Sequence, residues 1–128
     1  MAEAYELSDQ LERAASIIEE CGERRALLAS HYDADGLSAA SILLKALTGR
    51  GFVVHLLILE QMTPSSFGRL QSLASDYPLT LLADMGSGSV RELSKLKTSV
   101  IVLDHHLLQG AGGGVVEVNP HRCGIDGS

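Results

Sequence analysis

Three short stretches of the sequence place acids and imidazoles just where an apolar run ends: His31-Tyr32-Asp33-Ala34-Asp35-Gly36, Ala83-Asp84, and Asp104-His105-His106. These groups bind protons and metals. One acid after one strand is ordinarily a loop residue. Taken alone, Asp84 reads as a turn former or a helix N-cap, and Asp33 and Asp35 with Gly36 read as an Asx turn. That ordinary reading weakens if the three stretches meet. So many acids and imidazoles within a few ångströms repel one another, or need large pKa shifts, unless cations neutralise them. Divalent metals are the simplest resolution. The set contains no thiolate, which disfavours a structural cysteine-type zinc site. Mixed aspartate and histidine ligands suit Mn²⁺, with Mg²⁺, Co²⁺ or Zn²⁺ as alternatives. The ligands outnumber the needs of one ion. Two ions about 3.5–4 Å apart, sharing a bridging aspartate, would use them all. Such a pair activates water at neutral pH and clamps a phosphoryl group, which suits hydrolysis of a phosphoester or phosphoanhydride.

The elements that must position these residues follow from periodicity. In residues 7–21, Leu7, Leu11, Ala14, Ala15 and Ile18 recur at helical spacing, with Ser8 as a cap and Gly22 as a stop. RALLASH predicts a first strand ending near His31, and residues 35–51 predict a helix with Gly49 near its end. FVVHLLILE is apolar on both faces, as expected of a buried parallel strand. Thr63-Pro64 marks a helix start, a capping hydroxyl followed by proline. Phe67, Leu70, Leu73 and Ala74 form its apolar stripe, and Pro78 follows its end. LTLLAD is a third strand. Ser89 and Glu92 make a capping box for a short helix, SVRELSKL. SVIVLDHH is a fourth strand and VVEVN a fifth. A helix followed by alternating strands and helices predicts an α/β fold: an open, mostly parallel five-stranded sheet with helices on both faces. Ligands of such sheets sit at the carboxyl ends of the strands, and all three polar stretches lie there.

Composition narrows the classes. The chain has 128 residues, 45% of them hydrophobic, no tryptophan and a net charge of −6. That is enough for one domain with a core filled by aliphatic residues. No apolar run approaches the ~20 residues of a membrane span, and the acidic start is no secretory signal. Cys21 and Cys123 show no paired spacing, as expected of reduced thiols in a cytoplasmic protein. The acidic balance argues against a broad basic surface for duplex DNA, but metal held by carboxylates could still meet phosphates. No stacking aromatics or basic groove are evident. GAGGG lacks the Lys-Ser/Thr of a P-loop and precedes a strand, so it reads as a flexible connection. His55 reads as a core or sheet-edge histidine, and Met62 and Met85 as packing.

HYDADG, the Asp84 segment, LDHH and the following VNPHRCGIDGS together resemble the first motifs of the DHH phosphoesterase superfamily. The DxDG form of Asp33–Gly36, with Ala39 and Ala40 behind it, resembles the RecJ-like branch, especially its archaeal members. The likeness runs from about Ala26 to the end. DHH alone is a weak signal; the three motifs in this order are a specific one. The resemblance implies that His31 and Asp33 hold one Mn²⁺, that Asp35 and His105 hold a second, and that Asp84 bridges the two. His106 would contact the substrate phosphate, and Asp104 would orient its neighbours from behind. Gly36 would shape the first motif. Asn119, His121 and Arg122 are candidates to face phosphate, although Asn-Pro is also a turn signal and His121 can equally be a surface residue.

Members of the superfamily are longer. They carry a fourth acidic motif and a C-terminal substrate-binding domain, neither of which is found within residues 1–128. Asp126 resembles a loop residue, not the final ligand. The expectation is therefore a partial DHH domain with a weak second metal site and low or absent turnover by itself. The implied activity is RecJ-like, metal-dependent exonuclease action on single-stranded DNA or RNA, with replication or repair proteins as potential partners and no membrane. The alternatives are an oligoribonuclease, cyclic-dinucleotide phosphodiesterase, pyrophosphatase or exopolyphosphatase acting on a small phosphoester, or a non-catalytic replication scaffold. The enzyme branches among these more often carry a Pro-Asp-x-Asp first motif, which this chain lacks.

Overall fold

A computed structural model of the chain describes residues 2–61, 63–104 and 115–118. In chain order the elements are α1 (Ala2–Glu20), β1 (Arg25–His31), α2 (Ala34–Gly49), β2 (Val53–Leu59), α3 (Pro64–Ala74), β3 (Leu79–Ala83), a 3₁₀ turn (Ser87–Ser89), α4 (Val90–Leu93), β4 (Ser99–Leu103) and β5 (Val115–Val118). The five strands form one sheet in the order β2-β1-β3-β4-β5, and every pairing is parallel. The α/β sheet expected from the sequence is therefore the fold.

Strand side chains alternate between two cores, as a two-residue period requires. Ala26, Leu28, Leu81 and Ala83 face α1 and α2, packing with Ala14, Ala40 and Leu47. Leu27, Ala29, Leu82 and Val102 face α3 and α4, packing with Leu70, Ala74 and Leu93. Burial on both faces explains the unbroken apolar runs of β1 and β3. Met85 packs in the second of these cores. Thr63 caps α3 as expected, accepting a hydrogen bond from the Ser66 amide (3.1 Å), with Pro64 opening the helix.

Three local expectations are corrected. The first helix starts at Ala2, not at residue 7, so Ser8 lies inside it instead of capping it. The alanine and glutamate content of AEAYE favours helix over the local competition of one serine. The second strand is not a buried central strand. It is the edge of the sheet, and Val53, Leu56 and Ile58 are exposed. Its composition records apolarity but not its place in the strand order. The helix expected over SVRELSKL shortens to a single turn, Val90–Leu93, behind a 3₁₀ turn that contains Ser89.

The strand order fixes where a site can form. From β1 the chain steps to β2 on one side and later returns to β3 on the other. The carboxyl ends of β1 and β3 therefore flank the point where the winding reverses, and connections leaving in opposite directions open a crevice there.

Candidate metal centre

Each side of that crevice is built by a local device. On the β1 side, Asp33 caps α2: its Oδ1 accepts the Gly36 amide at 2.8 Å. This turn brings the start of α2 onto the end of β1. The approach is so close that a Cβ on Gly36 would lie 2.1 Å from the His31 carbonyl oxygen, so only glycine fits. Ser30, fully buried at the end of the strand, donates its hydroxyl to the Gly36 carbonyl at 2.5 Å. Sequence reasoning missed this latch; a lone serine near the end of an apolar strand was its signal.

On the β3 side the last pair in register is Ser30 with Ala83, so His31 and Asp84 follow on adjacent strands. Asp84 is 6% exposed and has φ 61°, the left-handed region that few residues other than glycine adopt. Aspartate tolerates that conformation better than most. The Asp84 amide donates to the Leu103 carbonyl (2.8 Å), tying the bend to β4.

The result is a convergence of His31, Asp33 and Asp84, with one ligand atom from each within 4.8 Å of the others. His31 Nδ1 lies 2.9 Å from Asp33 Oδ2. The ring is not aligned to donate, however, so this buried nitrogen has no hydrogen-bond partner among the described residues. The Asp33 carboxyl is held below the usual carboxylate range, first by the Gly36 amide and then by His31.

The residues fit a divalent ion. Ligands about 2.1 Å from a metal and at right angles to each other lie about 3 Å apart, the spacing found between His31 and Asp33. The donor set, one imidazole and two carboxylates, suits Mn²⁺ or its neighbours. His31, Asp33 and Asp84 would hold it.

Asp35 is exposed in the first turn of α2, outside this group of three. Asp104 is buried at the end of β4, its amide donating to the Val118 carbonyl (3.1 Å), and is likewise not one of the three. His105, His106, Asn119, His121, Arg122, Asp126, Cys123, Met62 and the GAGGG stretch lie outside the described residues. His55 lies on the edge strand and bonds the Tyr77 hydroxyl at 2.9 Å. Tyr32, between His31 and Asp33 in sequence, stands exposed.

Comparison with known proteins gives the family. Residues 25–125 match the model of the DHH family, N-terminal domain. The chain belongs to the DHH family. This DHH chain is 35% identical over 104 residues to an uncharacterized protein of Methanocaldococcus jannaschii, covering 77% of this chain and 24% of that one. Among solved structures it resembles RecJ in complex with Mn²⁺ from Thermus thermophilus, with TM-score 0.73, 30% identity, and coverage of 88% of this chain and 17% of that one. It also resembles an exonuclease RecJ bound to manganese, with TM-score 0.70, 29% identity, and coverage of 84% and 31%. An exopolyphosphatase-related protein from Bacteroides fragilis shares the fold at TM-score 0.59 and 11% identity, over 86% of this chain and 38% of that one. The DHH chain thus spans less than a third of the length of the RecJ chains and about a quarter of the M. jannaschii protein. No helix among its described residues is long and apolar enough to cross a membrane.

Proposed function

We propose that this DHH chain carries the metal-binding motifs of a divalent-metal-dependent phosphodiesterase of the RecJ type, acting on single-stranded nucleic acid. The observation that carries the reading is the convergence of His31, Asp33 and Asp84 around a buried imidazole nitrogen with no hydrogen-bond partner. The manganese in both RecJ relatives supports Mn²⁺ as the ion. Bound here, it would lower the pKa of a water and neutralise phosphate charge.

The chain's own residues supply the rest. The Gly36 amide keeps Asp33 ionised and ready to bind. Ser30 and Gly36 hold His31 and Asp33 in one rigid turn, so little ordering entropy is lost when a ligand arrives. Asp84, on the adjacent strand, is the ligand best placed to be shared with a second ion held by Asp35 and His105. His106, His121 and Arg122 would meet the phosphate, while Asp104 and Asn119 would orient their neighbours.

The test is a panel of single-stranded DNA, short RNA, cyclic dinucleotide, pyrophosphate and polyphosphate with Mn²⁺, run on the chain and on Asp84→Asn. Mn²⁺-dependent cleavage of single strands at a low rate, lost in the variant, is expected. Cleavage confined to polyphosphate would assign the exopolyphosphatase-type reading instead. Single strands bound equally by both chains and cleaved by neither would indicate a scaffold.

A further inference from the structure

Tyr32 has no role in the metal set, yet its position is unusual. It is 56% exposed, the only aromatic among the exposed large hydrophobic residues described, whereas Phe52 is buried and Phe67 and Tyr77 pack against the core. It also lies between two candidate ligands in sequence. Its ring meets His31 edge to face, with centroids 5.0 Å apart and planes at 81°. That contact ties the exposed phenol to one of the candidate ligands. Leu37, in the first turn of α2 and 46% exposed, adds a second apolar group near this turn.

We propose that Tyr32 is a stacking platform for a nucleobase of the substrate, giving the centre a preference for nucleotides over inorganic phosphate chains. The inference rests on the phosphodiesterase reading and sharpens it. The physical need is plain. A net charge of −6 gives these residues little long-range attraction for a polynucleotide, and stacking on the bases would add affinity that charge does not supply. Stacking on an aromatic ring is tolerant of sequence because every base has a π-face. The Tyr32 ring touches the His31 ring, so a phosphate held at His31 would bring its own nucleoside within reach of the phenol.

The test uses fluorescence anisotropy with labelled, nuclease-resistant phosphorothioate oligothymidylate and an abasic oligomer of the same length, both in Mn²⁺. Tyr32→Ala should weaken binding of the thymidylate by about 5- to 150-fold and leave the abasic oligomer unchanged. Tyr32→Phe should stay within about 2-fold of the wild type, because the ring and not the hydroxyl stacks. Mn²⁺ affinity, read from the free-ion EPR signal, should not move in either variant. Undiminished thymidylate binding by Tyr32→Ala overturns the stacking role alone. Equal loss of both oligomers, or loss of Mn²⁺ affinity, also overturns it and assigns Tyr32 to positioning His31. A wild-type chain that binds neither oligomer overturns the phosphodiesterase reading itself.

Discussion

The two ends of the same sheet carry polar clusters of opposite character. At the amino ends of the strands, Arg25 pairs with Glu23 (2.7 Å) and lies 5.0 Å over the Tyr77 ring, whose hydroxyl bonds His55. Arg24 donates to the carbonyls of Ile18 and Glu19 at the end of α1 and covers Phe52. Each of these groups has a complementary neighbour. At the carboxyl ends, His31, Asp33 and Asp84 crowd together, Asp84 on left-handed backbone, and a buried imidazole nitrogen touches Asp33 without making an aligned hydrogen bond. The difference teaches where function lies. A polar cluster that satisfies itself holds the fold together, while one that does not is completed by something from outside.

The contrast can be broken or sharpened by substitution. The largest effect should come from Gly36→Ala. The new methyl would collide with the His31 carbonyl and force α2 off the end of β1, so a loss of at least about 2 kcal/mol in urea denaturation is expected, together with the metal site. Next is His31→Leu. It should weaken Mn²⁺ binding by at least about 10–100-fold, yet change metal-free stability by no more than about 1 kcal/mol, because the contact with Asp33 that is lost is partly exposed and poorly aligned. A large stability loss in that variant would mean that His31 is a structural residue.

Acid sensitivity gives a third contrast. The Asp33 pKa is lowered in the folded chain, so its contribution to stability is present above the unfolded value of about 3.9 and disappears as pH falls through the lower folded value. Asp33→Asn should flatten the stability profile below about pH 4 and leave its shape above about pH 5 unaltered. The smallest effect belongs to the opposite end of the sheet. Tyr77→Phe removes the bond to His55, which should cost under about 1 kcal/mol and leave Mn²⁺ affinity untouched.

How much of this was legible in the sequence depended on distance along the chain. β1 was read with its observed bounds, and the cap at Thr63-Pro64 was read correctly, because apolar runs and capping residues act locally. The meeting of HYDADG with Asp84 was legible through one topological rule about parallel sheets. The edge position of β2 was not, since strand order is set by packing between segments far apart. The early start of α1 was lost because a serine inside a helix looks like a serine at its cap. Tyr32 escaped notice because exposure beside a ligand is a property of the folded turn and leaves no mark in the letters.

The central claim is that His31, Asp33 and Asp84 are ligands to one ion. Mn²⁺ titration of the wild-type chain and of Asp84→Asn, followed by EPR, tests it most directly. Asparagine keeps the tolerance for left-handed backbone and removes only the charge. The account predicts a saturable site in the wild type that falls at least about 10–100-fold in the variant while the fold persists by circular dichroism. Equal Mn²⁺ binding by both chains, or no saturable binding by the wild type, would contradict it.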